Sequence, residues 1–161
     1  MTAIAIAEET QAKLPLEVGQ KMPDGSIFAG FTADGKQQIY AMPQDIKTRF
    51  LKRPAMTFND AAKNVKKLNA NKSLGHDDWQ IPSLENLRVL QRNQNKGHLK
   101  GTFKTVARSG SAYPCWYWSS TEDRSYPSNV HGVRFLEGYE KWFHKDNDRL
   151  SCRPVRLEPV R

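Results

Sequence analysis

The spacing of apolar residues changes twice along the chain, and this change limits the fold more than any other feature of the sequence. From Val18 onward, short apolar runs alternate with the turn dipeptides Asp24-Gly25 and Asp34-Gly35. Both dipeptides accept positive φ, so residues 26–42 predict a β-hairpin that turns at Asp34-Gly35. Pro43 and the polar residues after it end the hairpin.

The middle of the chain has the spacing of two amphipathic helices. The first helix is predicted to begin after Thr57, its N-cap, and to end near Ala70. Its apolar positions share one face; they are Phe58, Ala61, Ala62, Val65 and Leu68. Ser83 is the predicted N-cap of the second helix, in which the apolar face is formed by Leu84, Leu87 and Leu90, while Arg88 and Arg92 point away from it. Residues 79–82 between the helices are predicted to be extended because they lead into Pro82.

The last third of the chain is rich in aromatic residues and turns. It predicts four short strands at 113–122, 130–135, 139–145 and 150–155, which would form an antiparallel sheet. Hairpin, two helices and sheet in this order define an α+β fold. We expect one domain over residues 18–157, between a flexible N-terminal tail at 1–17 and a C-terminal tail at 158–161.

Length and composition exclude several classes of protein. The 161 residues suit one domain, and no apolar run approaches the roughly 18 residues of a spanning helix, so no membrane insertion is expected. The chain also lacks the short repeat of collagen and the sustained heptads of a coiled coil. The first residues lack the basic and long apolar regions of a secretory signal. We therefore expect a cytoplasmic or phage-particle protein.

The net charge of +8 is concentrated in the middle of the chain. Residues 43–110 carry fourteen basic and five acidic residues. A basic surface within 47–108 could bind nucleic acid or an acidic protein. A solvated helix face bearing Lys63, Lys66 and Lys67 is the more common origin of such an excess.

Signals of catalysis and metal binding are weak. Each histidine stands apart from the companions that a zinc site requires; they are His76, His98, His131 and His144. The serines 119 and 120 lack the Gly-x-Ser-x-Gly surroundings of a nucleophile elbow. The sequence therefore predicts no enzyme activity, no metal and no cofactor, with a hydrolase or oxidoreductase as the contrary hypothesis.

Several blocks of residues, taken in order, resemble one family. They are Asp78-Trp79-Gln80-Ile81-Pro82-Ser83, Tyr117-Trp118-Ser119-Ser120-Thr121-Glu122 and Cys152-Arg153-Pro154-Val155-Arg156. The chain thereby resembles the Lcl C-terminal domain family over about residues 18–157. The resemblance implies a C-type-lectin-like fold, related to the variable proteins of diversity-generating retroelements. It also implies that the first and last strands lie together, that two helices flank them, and that a long loop region presents a binding surface.

Large aromatic side chains are the expected centre of the core. Trp79, Trp118 and Phe135 each bury on the order of 150–250 Å² when enclosed, so we expect them to be structural. Cys115 and Cys152 could meet in the fold. Both a disulfide and two buried thiols are compatible with the sequence.

Residues 123–148 form the candidate binding surface. Their Tyr, Ser, Asn, His and Trp side chains combine rigid contact area with adaptable hydrogen bonding. Strand alternation places Asn129 and His131 on one face, with Tyr139, Lys141 and Phe143 in a neighbouring row. The residues predicted to face a ligand are Tyr126, Asn129, His131, Tyr139, Lys141, Trp142 and His144. The expected partner is a protein or a glycan, with nucleic acid and a second copy of the chain as alternatives.

Overall fold

The structure is a computed structural model that describes residues 14–47, 55–105, 113 and 115–161. Most of the predicted N-terminal tail lies outside these residues. Within these ranges, two α-helices and six strands form an α+β fold, which confirms the predicted class. In chain order the elements are β1 (Ile27–Phe31), β2 (Gln37–Ala41), α1 (Phe58–Ala70), α2 (Leu84–Asn93), β3 (Trp116–Glu122), β4 (Asn129–Arg134), β5 (Glu140–His144) and β6 (Val155–Pro159).

The strands form two antiparallel sheets of three strands each. One sheet has the order β1-β2-β6 and the other has the order β3-β4-β5. The predicted hairpin is confirmed as β1 and β2. The last strand, β6, pairs with the second strand of this hairpin, so the N- and C-terminal strands lie in one sheet, with β2 between β1 and β6.

The fourth strand of the C-terminal third differs from the prediction. It begins at Val155, runs to Pro159 and joins the hairpin instead of extending the β3-β4-β5 sheet. Residues 150–151 make only isolated bridges, Leu150 to Met56 and Ser151 to Tyr117. The chain crosses between the two sheets here, and β6 continues two residues past 157 because Gln38 and Gln37 pair with Glu158 and Pro159.

Both helices begin where the sequence predicts. The Thr57 side chain accepts a hydrogen bond from the backbone N–H of Asp60, and the Ser83 side chain accepts one from the N–H of Asn86. These bonds satisfy N–H groups that have no partner within the helix. None of the described helices is both long enough and apolar enough to cross a membrane.

The interior consists of two apolar clusters. The first core lies between α2 and the β1-β2-β6 sheet and includes Leu87, Leu90, Tyr117 and Phe135. The second core lies beside α1 and is formed by Ile46, Met56, Ala61, Val65, Trp79, Ile81, Trp118, Val130, Phe143, Leu150 and Cys152. The three aromatic residues expected in the core are almost fully enclosed, since Trp79 is 2% exposed and Trp118 and Phe135 are 0% exposed.

A buried arginine joins segments that are distant in sequence. The Arg153 side chain is fully buried, and its Nε donates to Asp45 Oδ1 at 2.9 Å. Its other nitrogens donate to Thr102 and to the backbone oxygen of Met42. The Tyr117 hydroxyl donates to the second oxygen of Asp45 at 2.8 Å. Burial and the Asp45 charge both raise the pKa of Tyr117, which keeps this hydroxyl protonated as a donor.

Candidate recognition surface

Residues 123–148 fold into β4, β5 and the loops around them. The register pairs Asn129 with His144 and His131 with Trp142. Residues directly opposite each other on antiparallel strands project to the same side of a sheet. Four predicted ligand-facing residues therefore share one side, which we call the outer face; they are Asn129, His131, Trp142 and His144.

The centre of the outer face is a stacked pair of rings. The His131 and Trp142 ring centroids lie 3.4 Å apart with an interplanar angle of 18°. Trp142 is nevertheless 39% exposed, so part of the indole is open to solvent. Nδ1 of His131 is buried and makes no hydrogen bond among the described residues. Burial lowers the pKa of His131, so the neutral ring is favoured.

An ion pair between Arg88 and Glu140 lies at one end of the outer face. Arg88 of α2 donates to both carboxylate oxygens of Glu140, with its Nε at 2.8 Å from Oε2 and its Nη2 at 2.5 Å from Oε1. This two-point bond lowers the pKa of Glu140 and keeps it ionised. Because Glu140 lies opposite Val133, the pair marks where α2 begins to cover the sheet.

The neighbouring row that strand alternation predicted lies on the other side of the sheet. Lys141 pairs with Gly132, so it projects away from His131. Its ammonium lies over the rings of Tyr113 and Phe143, 5.1 and 5.3 Å from their centroids. Phe143 belongs to the second core, and Tyr139, just before β5, is 65% exposed. The seven predicted residues therefore do not form one continuous set, because the side on which each residue lies depends on register as well as alternation.

The remaining predicted residues are held by the turns beside the strands. Tyr126 is 66% exposed in the loop before β4, where its N–H and that of Ser125 point to the Asp123 carboxylate. The His144 N–H donates to Asp148 at 2.8 Å, and His144 Nδ1 accepts from the N–H of Asp146. These bonds fix the backbone on both sides of the outer face.

Sequence reasoning did not identify Arg88 and Glu140 as part of this surface. It correctly predicted that Arg88 points away from the apolar face of α2, where Leu87 and Leu90 are buried. The partner of Arg88 is 52 positions away, and no local pattern reports a pairing over that separation. The Arg88–Glu140 ion pair could be predicted only if the packing of α2 against the β4-β5 sheet were already known.

The other chemistry considered from the sequence is absent from this surface. Cys115 and Cys152 are buried free thiols that are not joined in a disulfide. Burial raises the pKa of both thiols, which keeps them in the unreactive protonated form. The described part of the chain contains no group of three or more His, Cys, Asp or Glu residues that could hold a metal ion.

The structure defines a small α+β domain that displays aromatic and polar side chains on one sheet. Comparison with protein families matches residues 33–156 to the Lcl C-terminal domain. The chain belongs to the Lcl C-terminal domain family, which indicates a ligand-binding or recognition module. A search of curated proteins gives no match.

Proposed function

We propose that the chain is a non-catalytic recognition module, built on a C-type-lectin-like scaffold, that binds a protein or glycan through the outer face and the Tyr126 loop. The observation that carries this proposal is the location of exposed apolar side chains. Seven large hydrophobic residues are exposed among the described residues, and four of them lie within 123–148. Trp142 is on the outer face and Tyr126 is in the loop beside it, whereas Leu136 and Tyr139 lie in the turn between β4 and β5. Aromatic residues exposed among polar neighbours are typical of binding surfaces.

The charge of this segment favours a ligand that is not a polyanion. Residues 123–148 contain four basic and five acidic residues, so the basic excess of the chain lies elsewhere. Glu140 also presents a carboxylate at the edge of the outer face, although Arg88 neutralises it. Stacking on Trp142 and hydrogen bonding to its polar neighbours suit both a peptide and a sugar ring.

The state of the candidate nucleophiles supports a module without catalytic activity. Ser119 is fully buried, and its hydroxyl donates to the backbone oxygen of His131 at 2.7 Å. A serine in this position braces β3 against β4 and has no access to a substrate. The two cysteines are likewise buried and protonated. The exposed side chains of residues 123–148 are therefore suited to contact with a ligand and not to covalent chemistry.

The test begins with ligand selection on two probes, a glycan array and a phage-displayed random peptide library. For a selected ligand, we expect Trp142→Ala and Tyr126→Ala each to weaken binding about tenfold or more, as loss of an aromatic anchor does. The unfolding temperature should change little for Tyr126→Ala, because Tyr126 is 66% exposed, and should fall more for Trp142→Ala, because the indole is 39% exposed and stacks on His131. Phe31→Ala is the matched control, since Phe31 is 44% exposed on β1.

Variants on the two sides of the sheet identify the side that binds. Tyr139→Ala and Lys141→Ala should leave affinity nearly unchanged if the outer face is the contact surface. Equal losses from these variants would move the site to the opposite side. Selection of no ligand by either probe, or binding insensitive to all four substitutions, would contradict the proposal.

A second candidate function rests on the lysines of α1. Lys63, Lys66 and Lys67 are exposed, and none forms an ion pair among the described residues. Unpaired lysines on one helix can attract nucleic acid or an acidic protein. Binding of this kind must weaken as salt rises, because each phosphate contact releases counterions. Affinity for duplex DNA that is independent of salt, or unchanged in a Lys63→Gln/Lys66→Gln/Lys67→Gln variant, would exclude it.

The proposed relation to diversified phage proteins has a separate test. Such a gene lies beside a reverse transcriptase gene and a near-copy of the codons for residues 115–156. Sequencing the flanking DNA decides between a diversified segment and a fixed one. Neighbouring phage structural genes would support association with a phage particle.

A further inference from the structure

A second surface feature lies at the N-terminal end of α2, about one turn before Arg88. An open groove of about 510 Å³ separates the hairpin turn from the first turn of α2. Leu157 of β6 contributes an apolar wall to the groove. Polar side chains from both segments line the rest of it, among them Asp34, Gln37, Glu85 and Asn86. None of these residues belongs to the outer face.

Asn86 is the residue that marks the groove as a binding site. It is only 7% exposed, so more than nine-tenths of it is buried, and it faces the groove. Its backbone N–H is bonded to Ser83, but its side-chain amide makes no hydrogen bond with any described residue. The Asn86 amide is not among the fully enclosed unpaired atoms, so it keeps contact with solvent in the groove and can exchange that water for a polar group of a bound molecule. The groove is the route by which that molecule reaches Asn86.

The helix end beside the groove does not offer an anion site. Two of the N–H groups in the first turn of α2 already have partners, since that of Leu84 donates to Thr121 Oγ1 and that of Asn86 donates to Ser83 Oγ. Glu85 places a carboxylate in the same turn. An anion would therefore find a negative charge where a phosphate-binding helix presents free donors.

The groups that do line the groove are mainly acceptors. Asp34 and Glu85 provide two carboxylates, and the Asn86 and Gln37 amides add two carbonyl oxygens. Hydrogen bonds from the Thr32 hydroxyl and the Lys36 N–H lower the pKa of Asp34, so it stays ionised. No basic residue is found in the described lining, although the chain as a whole carries +8.

From these observations we propose that the groove between the hairpin turn and α2 binds a guanidinium group, held by Glu85 and Asp34 and hydrogen-bonded to the Asn86 side chain. A guanidinium is planar and carries five donors, which match carboxylate and amide oxygens in number and direction. An ammonium carries fewer donors and fits a wide, acceptor-lined groove less well. The aliphatic part of an arginine side chain would lie against Leu157.

The test is a titration of the isotope-labelled full chain with N-acetyl-L-arginine amide, followed by backbone amide shifts. Saturable shifts are expected at Asn86, Glu85 and Gln37. The neutral isostere N-acetyl-L-citrulline amide has the same shape without the charge, and it should bind about tenfold more weakly or not at all. A glycyl-arginyl-glycine peptide distinguishes the sources: tighter binding than the amide supports an arginine of a partner protein, and equal binding supports a small guanidino compound.

Three variants decide whether the named residues make the site. Glu85→Gln keeps an exposed helix position and should weaken binding about tenfold, and Asn86→Ala should weaken it similarly. Asp77→Asn is the matched control, because Asp77 is an exposed carboxylate outside the groove and should leave the affinity unchanged. Absence of saturable shifts, equal affinity for the citrulline derivative, or no effect of both groove variants would overturn the proposal.

Discussion

Arg153 shows how a single buried charge can hold together segments that are far apart in sequence. It bonds to Asp45, Thr102 and Met42, and its guanidinium lies 4.0 Å from the ring centroid of Phe103. We predict that Arg153→Met lowers the free energy of unfolding by about 3–5 kcal/mol, because it leaves the buried Asp45 carboxylate without its cationic partner. Urea unfolding followed by circular dichroism measures the loss.

Two further variants separate the ion pair from general damage. Arg92→Met changes an exposed arginine of α2 and should alter stability by less than about 0.5 kcal/mol. In the double variant Asp45→Asn/Arg153→Met the loss should be smaller than the sum of the two single losses, since neither charge is then left alone. Strict additivity would show that the two residues do not stabilise each other.

We expect His131 to make the stability of the domain depend on pH. Burial lowers its folded-state pKa below the value of 6.5 expected in the unfolded chain. Above pH 6.5 the ring is neutral in both states and its contribution to stability is complete. As the pH falls toward the folded pKa, the unfolded state takes up a proton that the folded state does not, and stability declines. Asp123 and Glu140 raise this pKa and Arg88 lowers it, but burial has the largest effect.

We therefore predict that the urea midpoint of the parent chain decreases when the pH is lowered from about 7.5 to about 5.5. In His131→Gln this decrease should be smaller. His98→Gln is the matched control, because His98 is exposed in a short turn and its replacement should leave the pH response intact. A fall of equal size in the parent and in His131→Gln would assign the response to other groups.

At the scale of elements, patterns within short stretches of sequence predicted the helices and the hairpin but not the pairing of distant strands. Both helices and the first hairpin follow from short-range signals: the apolar spacing of α1, the caps Thr57 and Ser83, and the Asp34-Gly35 turn. The place of β6 could not be obtained in this way, because Val155 pairs with Ala41 and no turn connects them. The same limit applies to the candidate site, where alternation placed His131 but only the register with Trp142 showed its neighbour.

The far end of β6 carries the prediction at this scale. Gln38 and Gln37 pair with Glu158 and Pro159, the Val160 N–H donates to the oxygen of Lys36, and Glu158 accepts from Arg156. Removal of residues 158–161 should therefore destabilise the domain by about 1–3 kcal/mol, from the loss of a few hydrogen bonds of roughly 1 kcal/mol each. Removal of Arg161 alone is the control and should have no effect. Unchanged thermal unfolding of the longer deletion would mean that 158–161 is a tail, as the sequence suggested.

For the whole molecule, β3 is important because it contributes side chains to both cores, as β4 also does through Val133 and Val130. Tyr117 packs in the first core and its neighbour Trp118 packs in the second. The Trp118 indole N–H donates to the oxygen of Met56, while the Tyr117 hydroxyl donates to Asp45. Adjacent residues of one strand project to opposite sides of the sheet, so β3 is held in place by both cores. If either core unfolds, β3 loses contacts on that side and no longer positions its side chain in the other core.

This sharing predicts that the domain unfolds in one cooperative step. Leu87 is fully buried in the first core, and Leu87→Ala should cost about 2–5 kcal/mol by leaving a cavity. Three of the four tryptophans, Trp79, Trp116 and Trp118, lie in or against the second core, so tryptophan fluorescence reports mainly that core, whereas far-ultraviolet circular dichroism reports the whole fold. Both signals should shift to the same lower urea midpoint in Leu87→Ala, and Leu150→Ala in the second core should do likewise. If the fluorescence midpoint stays at the parent value while the dichroism midpoint moves, the two cores unfold separately and β3 does not couple them.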